Sequence, residues 1–291
     1  MKKLLFLLLV SSIIHAETIE LVGYGVAGGQ ADQIQRAIQK VLVEEYQLDV
    51  ILVYKPGADG KIATNYINQN AKRGNIIGLA TTSTVLENRD FNKHTIIGPL
   101  VSNKYALVVS NKLHISSFNE FVNLSRTTKL NCGTNTLFQR VILTQILKNN
   151  NIQNVEIVNY KSQNEEMLNI SNGDLDCSLG SLTIWEIPHK SNRLKIIGIL
   201  SDKKISYAPS AILFKNTIDS FKVYAWFGIA IPPEFKYKST VVPALNSLYK
   251  NDEFKKAIGI TSESLTIDIP DPEFNLTLQQ NYSAYEKLKY D

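Results

Sequence analysis

The sequence predicts a two-lobed α/β fold, each lobe a mainly parallel sheet flanked by helices, with a cleft between the lobes. Three observations carry this. Strand-like and helix-like runs alternate at short pitch from residue 19 onward, which favours parallel strands joined by crossover helices. The first strand of each of two successive sets leaves through a glycine-bearing loop into a helix. The 291 residues, less a leader of about sixteen, also match two units at ~150 residues per domain.

The leader is read first. Lys2 and Lys3 form a basic start, Leu4 to Val10 an apolar core, and His15-Ala16 a small-residue exit before Glu17. This is the pattern of a cleaved signal peptide over residues 1–16. The core is far shorter than the ~20 apolar residues of a membrane span. No cysteine follows it to carry a lipid. An exported protein, soluble after cleavage, is expected.

In the first set, Ile19 to Tyr24 reads as a strand, and Ile34, Ile38, Val41 and Leu42 as one face of a helix. Val50 to Tyr54 is a strand, Pro56-Gly57 a turn, and Ile62, Ala63, Tyr66 and Ile67 the next helix face. Ile76 to Ala80 and Ile96 to Val101 are further strands. Tyr105 to Val109 opens the second set. There Ser117-x-x-Glu120 and Ser162-x-x-Glu165 are capping boxes. Lys129 to Cys132, Val155 to Tyr160, Leu175 to Leu179 and Lys195 to Leu200 are strands, and 136–148 is helical. The apolar run Val223 to Ile231 stops at Pro232-Pro233. The segment Ser239 to Lys250 and a final helix opened by Asp271-Pro272 complete the chain, the latter with Phe274, Leu278, Tyr282, Tyr285 and Leu288 on one side. That last helix is expected to lie on the first sheet. Extended crossings near 105–110 and 222–231 are the expected hinges.

Composition narrows the function. Hydrophobic residues make up 44% and charged residues 20%, an ordinary folded mix. The net charge of +4 includes Lys2 and Lys3, and no basic block follows, so a nucleic-acid partner is not expected. Two cysteines, Cys132 and Cys177, fit no zinc spacing. His94, His114 and His189 are scattered and form no motif, so neither a metal, a cofactor nor a catalytic triad is expected.

The two glycine loops are Gly25-Val26-Ala27-Gly28-Gly29-Gln30-Ala31-Asp32 and Gly133-Thr134-Asn135-Thr136. A helix N-terminus leaves amides unpaired and carries partial positive charge, so such loops suit a carboxylate or phosphate, or serve simply as turns. Neither loop is a dinucleotide fingerprint or a P-loop. Thr81 to Thr84, after the third strand, offers hydroxyl donors or a helix cap.

Taken in order, these motifs resemble the Bug-type extracytoplasmic solute-binding receptors of tripartite tricarboxylate transport systems. The resemblance rests on Gly28-Gly29-Gln30-Ala31-Asp32, Lys55-Pro56-Gly57-Ala58-Asp59-Gly60, Thr81-Thr82-Ser83, Tyr160-Lys161, Gly173-Asp174-Leu175-Asp176 and Trp226-Phe227-Gly228. It implies a periplasmic binding protein of type II with a ligand cleft between lobe one (17–104 plus 225–291) and lobe two (105–224). The implied ligand-binding residues are Gly28, Gly29, Thr82 and Ser83 from one lobe. From the other come Thr134, Asn135, Thr136, Arg140, Gly180 and Ser181.

Three departures from the family pattern stand out. Ala27 replaces a proline, the second loop is shorter, and Gly180-Ser181 stand where many members carry an acidic residue that can read an amine. Within the implied 2-1-3 strand order Cys132 neighbours Cys177, which leaves a disulfide and two buried thiols both open.

The expected function is capture of a small carboxylate by a non-catalytic monomer that delivers it to the membrane permease subunits of such a transporter. The alternatives are a sensory receptor signalling to a membrane kinase, and an exported hydrolase. The last lacks a histidine partner for Thr82 or Ser83.

Overall fold

Residues 17–201, 203–214, 225–258, 263, 265–268 and 270–290 are described by the structure, a computed structural model. The expected leader and the start of the second crossing, 222–224, lie outside the described residues.

In chain order the first set is β1 (Ile19–Gly23), α1 (Gln30–Glu44), β2 (Val50–Tyr54), α2 (Lys61–Asn70), β3 (Ile76–Thr81), α3 (Thr82–Glu87) and β4 (Thr95–Asn103). The second is β5 (Tyr105–Ser110), α4 (Phe118–Ser125), β6 (Leu130–Thr134), α5 (Leu137–Asn149), β7 (Val155–Asn159), α6 (Gln163–Asn172), β8 (Cys177–Ser181), α7 (Leu182–Lys190), β9 (Leu194–Leu200) and β10 (Ile212–Leu213). The chain then adds β11 (Ala225–Ile231), α8 (Lys238–Ser247), α9 (Asp252–Ala257), β12 (Leu265–Ile267) and α10 (Phe274–Tyr290). The elements α7, α9, β10 and β12 are additions to the sequence reading.

Two six-stranded sheets result, ordered β12-β4-β11-β3-β1-β2 and β10-β9-β5-β8-β6-β7. Each repeats one plan. A parallel block in 2-1-3 order (β2-β1-β3, β7-β6-β8) is followed by a strand running the other way, β11 in the first sheet and β5 in the second. Those reversed strands open the two stretches where the chain changes sheet. The first change is a single step, Asn103-Lys104-Tyr105, between β4 and β5.

Apolar periodicity explains most of the packing. Ile34, Ile38, Val41 and Leu42 of α1 are all sealed against Leu21 and Leu79 of the first sheet, at about 1.5–3 kcal/mol per side chain. On α2, Ala63 and Ile67 are buried as expected, but Ile62 is 48% exposed. The helix starts at Lys61, so Ile62 falls beside the turn, where a Cβ on Gly57 (φ of +115°) would stand 2.9 Å from Ile62 Cδ1.

The predicted capping box forms in full at Ser117, which accepts from the Glu120 amide while Glu120 accepts from the Ser117 amide, but at Ser162 only the serine half forms, accepting from the Glu165 amide. Gly173, at φ +76°, ends α6. The Asp271 carboxylate accepts from the Glu273 amide at 2.9 Å, and the regular helix begins at Phe274.

The host of α10 differs from expectation in its second half. Asn275 exchanges hydrogen bonds with the Ile96 backbone, and Phe274 meets Trp226 edge-on at 4.8 Å, so the helix starts on the first sheet. Tyr285, fully buried, packs on Phe138 of α5 at 5.9 Å and donates to Glu87 of α3. The helix therefore ends between α3 of the first set and α5 of the second. The Leu288 side chain lies outside the described residues.

Cys132 and Cys177 are direct register partners on β6 and β8, and they are joined in a disulfide. The cross-link sits one residue before Gly133, at the base of the second glycine loop.

Candidate functional site

Four strand exits converge between the sheets, those of β1, β3, β6 and β8. The first glycine loop owes its shape to Asp32. Its Oδ2 accepts from the Gly28 amide at 2.7 Å, and Oδ1 accepts from Tyr54 Oη and from Arg36 Nε at 2.9 Å. Burial pushes this carboxyl up, yet the Gly28 amide, Tyr54 and Arg36 outweigh it and hold it below its ordinary value. Gly28 has φ of +83°, a conformation that favours glycine.

One consequence touches the expected ligand set. The Gly28 amide is spent on Asp32, and the Gly29 amide donates to Val26 O at 3.2 Å. What the loop presents instead is the first turn of α1, whose amides have no partner within the helix, and the Gln30 side chain.

At the β3 exit, Thr81 caps α3 reciprocally with Thr84. Thr82 Oγ1 accepts from the Trp226 amide at 3.0 Å. Ser83 is buried beside it. Tyr24 hydrogen-bonds with Thr81, and burial pushes its phenol up to about 12, so it is a neutral donor. Tyr105, at the start of β5, is raised by burial as well, is close enough to Tyr24 for their charges to couple, and hydrogen-bonds with Gln139.

The second glycine loop is held by Gln139. Its Oε1 accepts from the Asn135 amide at 2.9 Å, and its amide donates to Thr136 Oγ1 at 3.2 Å. Thr134 is fully buried, and its Oγ1 has no partner among the described residues; nor has Asn135 Oδ1. Arg140 sits further out, exposed on α5, and donates to Asn159 Oδ1 at 3.2 Å.

At the β8 exit, Gln163 clamps Ser181, donating to its carbonyl at 2.9 Å and accepting from its amide at 3.0 Å. A Cβ on Gly180 would stand 2.5 Å from Gln163 Nε2, so a side chain here would displace the clamp.

The two bodies touch at these exits. Asn103 Nδ2 donates to Ser181 Oγ and, at 3.1 Å, to Gln30 Oε1; Ser181 Oγ lies 3.2 Å from the same Gln30 oxygen and 2.6 Å from Thr183 Oγ1. Sequence reading missed Gln30, Asn103, Gln139 and Gln163, because isolated amides carry no pattern. An open groove lined by Thr144, Leu147, Lys148 and Ile157 lies at the far end of α5. It shares no residue with the four exits.

Two parallel-block sheets with reversed crossing strands and facing helix N-termini define a periplasmic binding protein of type II. The model of the tripartite tricarboxylate transporter family receptor matches residues 34–259, and the chain belongs to that family. It is an extracytoplasmic solute-binding receptor. No curated protein matches its sequence.

Solved structures of the same fold include the periplasmic binding protein BugD, 15% identical over 94% of this chain and 97% of that one, with a TM-score of 0.77. MatC of Rhodopseudomonas palustris with bound malate is 14% identical over 94% and 98% of the chains, at 0.75. An R. palustris protein with adipate is 14% identical over 94% and 96%, at 0.76. Among the described residues no helix is long and apolar enough to cross a membrane, and no group of three or more His, Cys, Asp or Glu is placed to hold a metal.

Proposed function

We propose that the chain captures a small carboxylate in the cleft between lobe one (17–104 plus 225–291) and lobe two (105–224), and delivers it to the membrane permease subunits of a tripartite transporter. One observation carries this reading. Among the described residues eight buried side-chain polar atoms lack a protein partner, and four of them, Gln30 Nε2, Asn103 Oδ1, Thr134 Oγ1 and Asn135 Oδ1, belong to residues at or beside the strand exits. Each such group costs about 1–3 kcal/mol, a cost a polar ligand offsets.

The donors fit an anion. Gln30 Nε2, the Thr134 hydroxyl and the uncapped first-turn amides of α1 supply hydrogen bonds, and the two helix termini supply partial positive charge. Thr82 and Ser83 border the same space. Among relatives of this fold, malate and adipate complexes match that chemistry. Closure brings the two halves of the donor set together, so binding and lobe closure are one event.

The test is isothermal calorimetry of the mature chain against dicarboxylates, tricarboxylates, aromatic acids and amino acids. Binding by a carboxylate supports the reading. A well-folded protein that is silent across the panel contradicts it.

A further inference from the structure

We infer that Gln30 and Asn103 read a hydroxyl group on the ligand, so that the cleft selects hydroxycarboxylates over the same acids without the hydroxyl. The inference deepens the carboxylate reading above and rests on it.

Asn103 is 2% exposed and stands where the chain passes from one sheet to the other. Its Nδ2 has two protons, and both are spent, on Ser181 Oγ and on Gln30 Oε1. The Gln30 oxygen is occupied in turn by Asn103 and Ser181. What the linked pair leaves over is one acceptor, Asn103 Oδ1, and one donor, Gln30 Nε2, both buried and without a partner among the described residues.

That remainder does not depend on how the amides are oriented. Rotating both by a half-turn keeps the bond between them and again leaves one donor and one acceptor, now on the opposite residues.

The ligand group that fits must both accept and donate. A carboxylate only accepts, so it satisfies Gln30 Nε2 but faces the Asn103 oxygen with like partial charge. An ammonium only donates and fails at Gln30. A hydroxyl does both with one oxygen. Reading it at Gln30 and Asn103 leaves Thr134 and the helix termini for the carboxylate.

A site built to hydrogen-bond a hydroxyl discriminates strongly against the analogue lacking it, because its own polar groups are then left unpaired. The experiment is calorimetry of the mature chain with three matched pairs: malate and succinate, citrate and tricarballylate, 2-hydroxyadipate and adipate. At least one hydroxy acid is expected to bind about tenfold or more tightly than its partner. In Gln30→Met that ratio falls toward one, with folding checked by circular dichroism. The wild-type comparison stands without the variant. Equal affinities within every pair, or binding of the unsubstituted acids only, overturn the hydroxyl reading and leave the receptor reading standing. Silence from these pairs and from the wider panel overturns both.

Discussion

Asp32 Oδ2 accepts the Gly28 amide at 2.7 Å, so a carboxylate of α1 holds the loop that leads into its own helix. Removing it frees that amide and strands Tyr54 and Arg36, its two other partners. Asp32→Ala is expected to cost about 1–3 kcal/mol, the range for leaving hydrogen-bonded groups unpaired, because Arg36 is exposed and stays solvated, and to weaken ligand binding through a misplaced Gln30. Denaturant melts and calorimetry on the same preparation check this. The acid side follows from the sign of the shift. The carboxyl sits below its ordinary value in the folded chain, so its contribution is present above the unfolded value of ~3.9 and is lost as pH falls through the folded value.

Thr134 separates stability from binding. Its hydroxyl is fully buried without a protein partner, so Thr134→Val removes an uncompensated polar group while keeping the branched shape. The unliganded variant is expected to melt at the same temperature as the wild type or higher. Its carboxylate affinity should fall roughly tenfold, the value of one hydrogen bond. A melting temperature that drops while affinity holds would show that the hydroxyl is structural.

Glu166 reports the interior of the second sheet. It is fully buried on α6, its Oε2 accepts from Ser178 Oγ at 2.6 Å, and Oε1 has no protein partner. Burial pushes its carboxyl up to about 8 against the smaller opposing effect of Ser178. The folded state therefore keeps a proton that the unfolded chain releases near ~4.3. Stability is expected to fall as pH rises between those values, by on the order of 1 kcal/mol per pH unit, and to level off above the folded value. Glu166→Gln flattens that slope. Urea midpoints from pH 5 to 9 for both proteins measure it.

The Cys132–Cys177 bridge closes a separation of 45 residues between two strands of one sheet. Replacing both cysteines by alanine is expected to lower stability by about 2–4 kcal/mol. The wild type, purified without reductant, should show no titratable thiol, since these are its two cysteines. Ellman titration in denaturant and melts of the two proteins are the checks.

Much of this architecture is legible before any coordinates. The stripe Ile34, Ile38, Val41 and Leu42 marks α1 because burial on one face forces that spacing. Ser117 and Ser162 mark helix starts because a serine oxygen is the local answer to an unpaired amide. The site is legible only in part. Asn103 and Ser181 meet across 78 residues, and no local rule links the last residue of one strand to the last of another. Helix-terminus physics and the family resemblance point to the first loop's amides as donors, and neither encodes that Asp32 and Val26 accept from those of Gly28 and Gly29. Helix α7 hides because Leu182 to Ile187 is apolar without a clean period and Pro188 sits within it. The reach of α10 onto α5 depends on where the second body stands, which the stripe alone does not encode.

Isothermal calorimetry of residues 17–291 against the carboxylate panel is the decisive measurement. A one-to-one isotherm is expected with at least one di- or tricarboxylate, at micromolar Kd or tighter, roughly −8 kcal/mol or better. A folded protein giving no heat with any of them would contradict it.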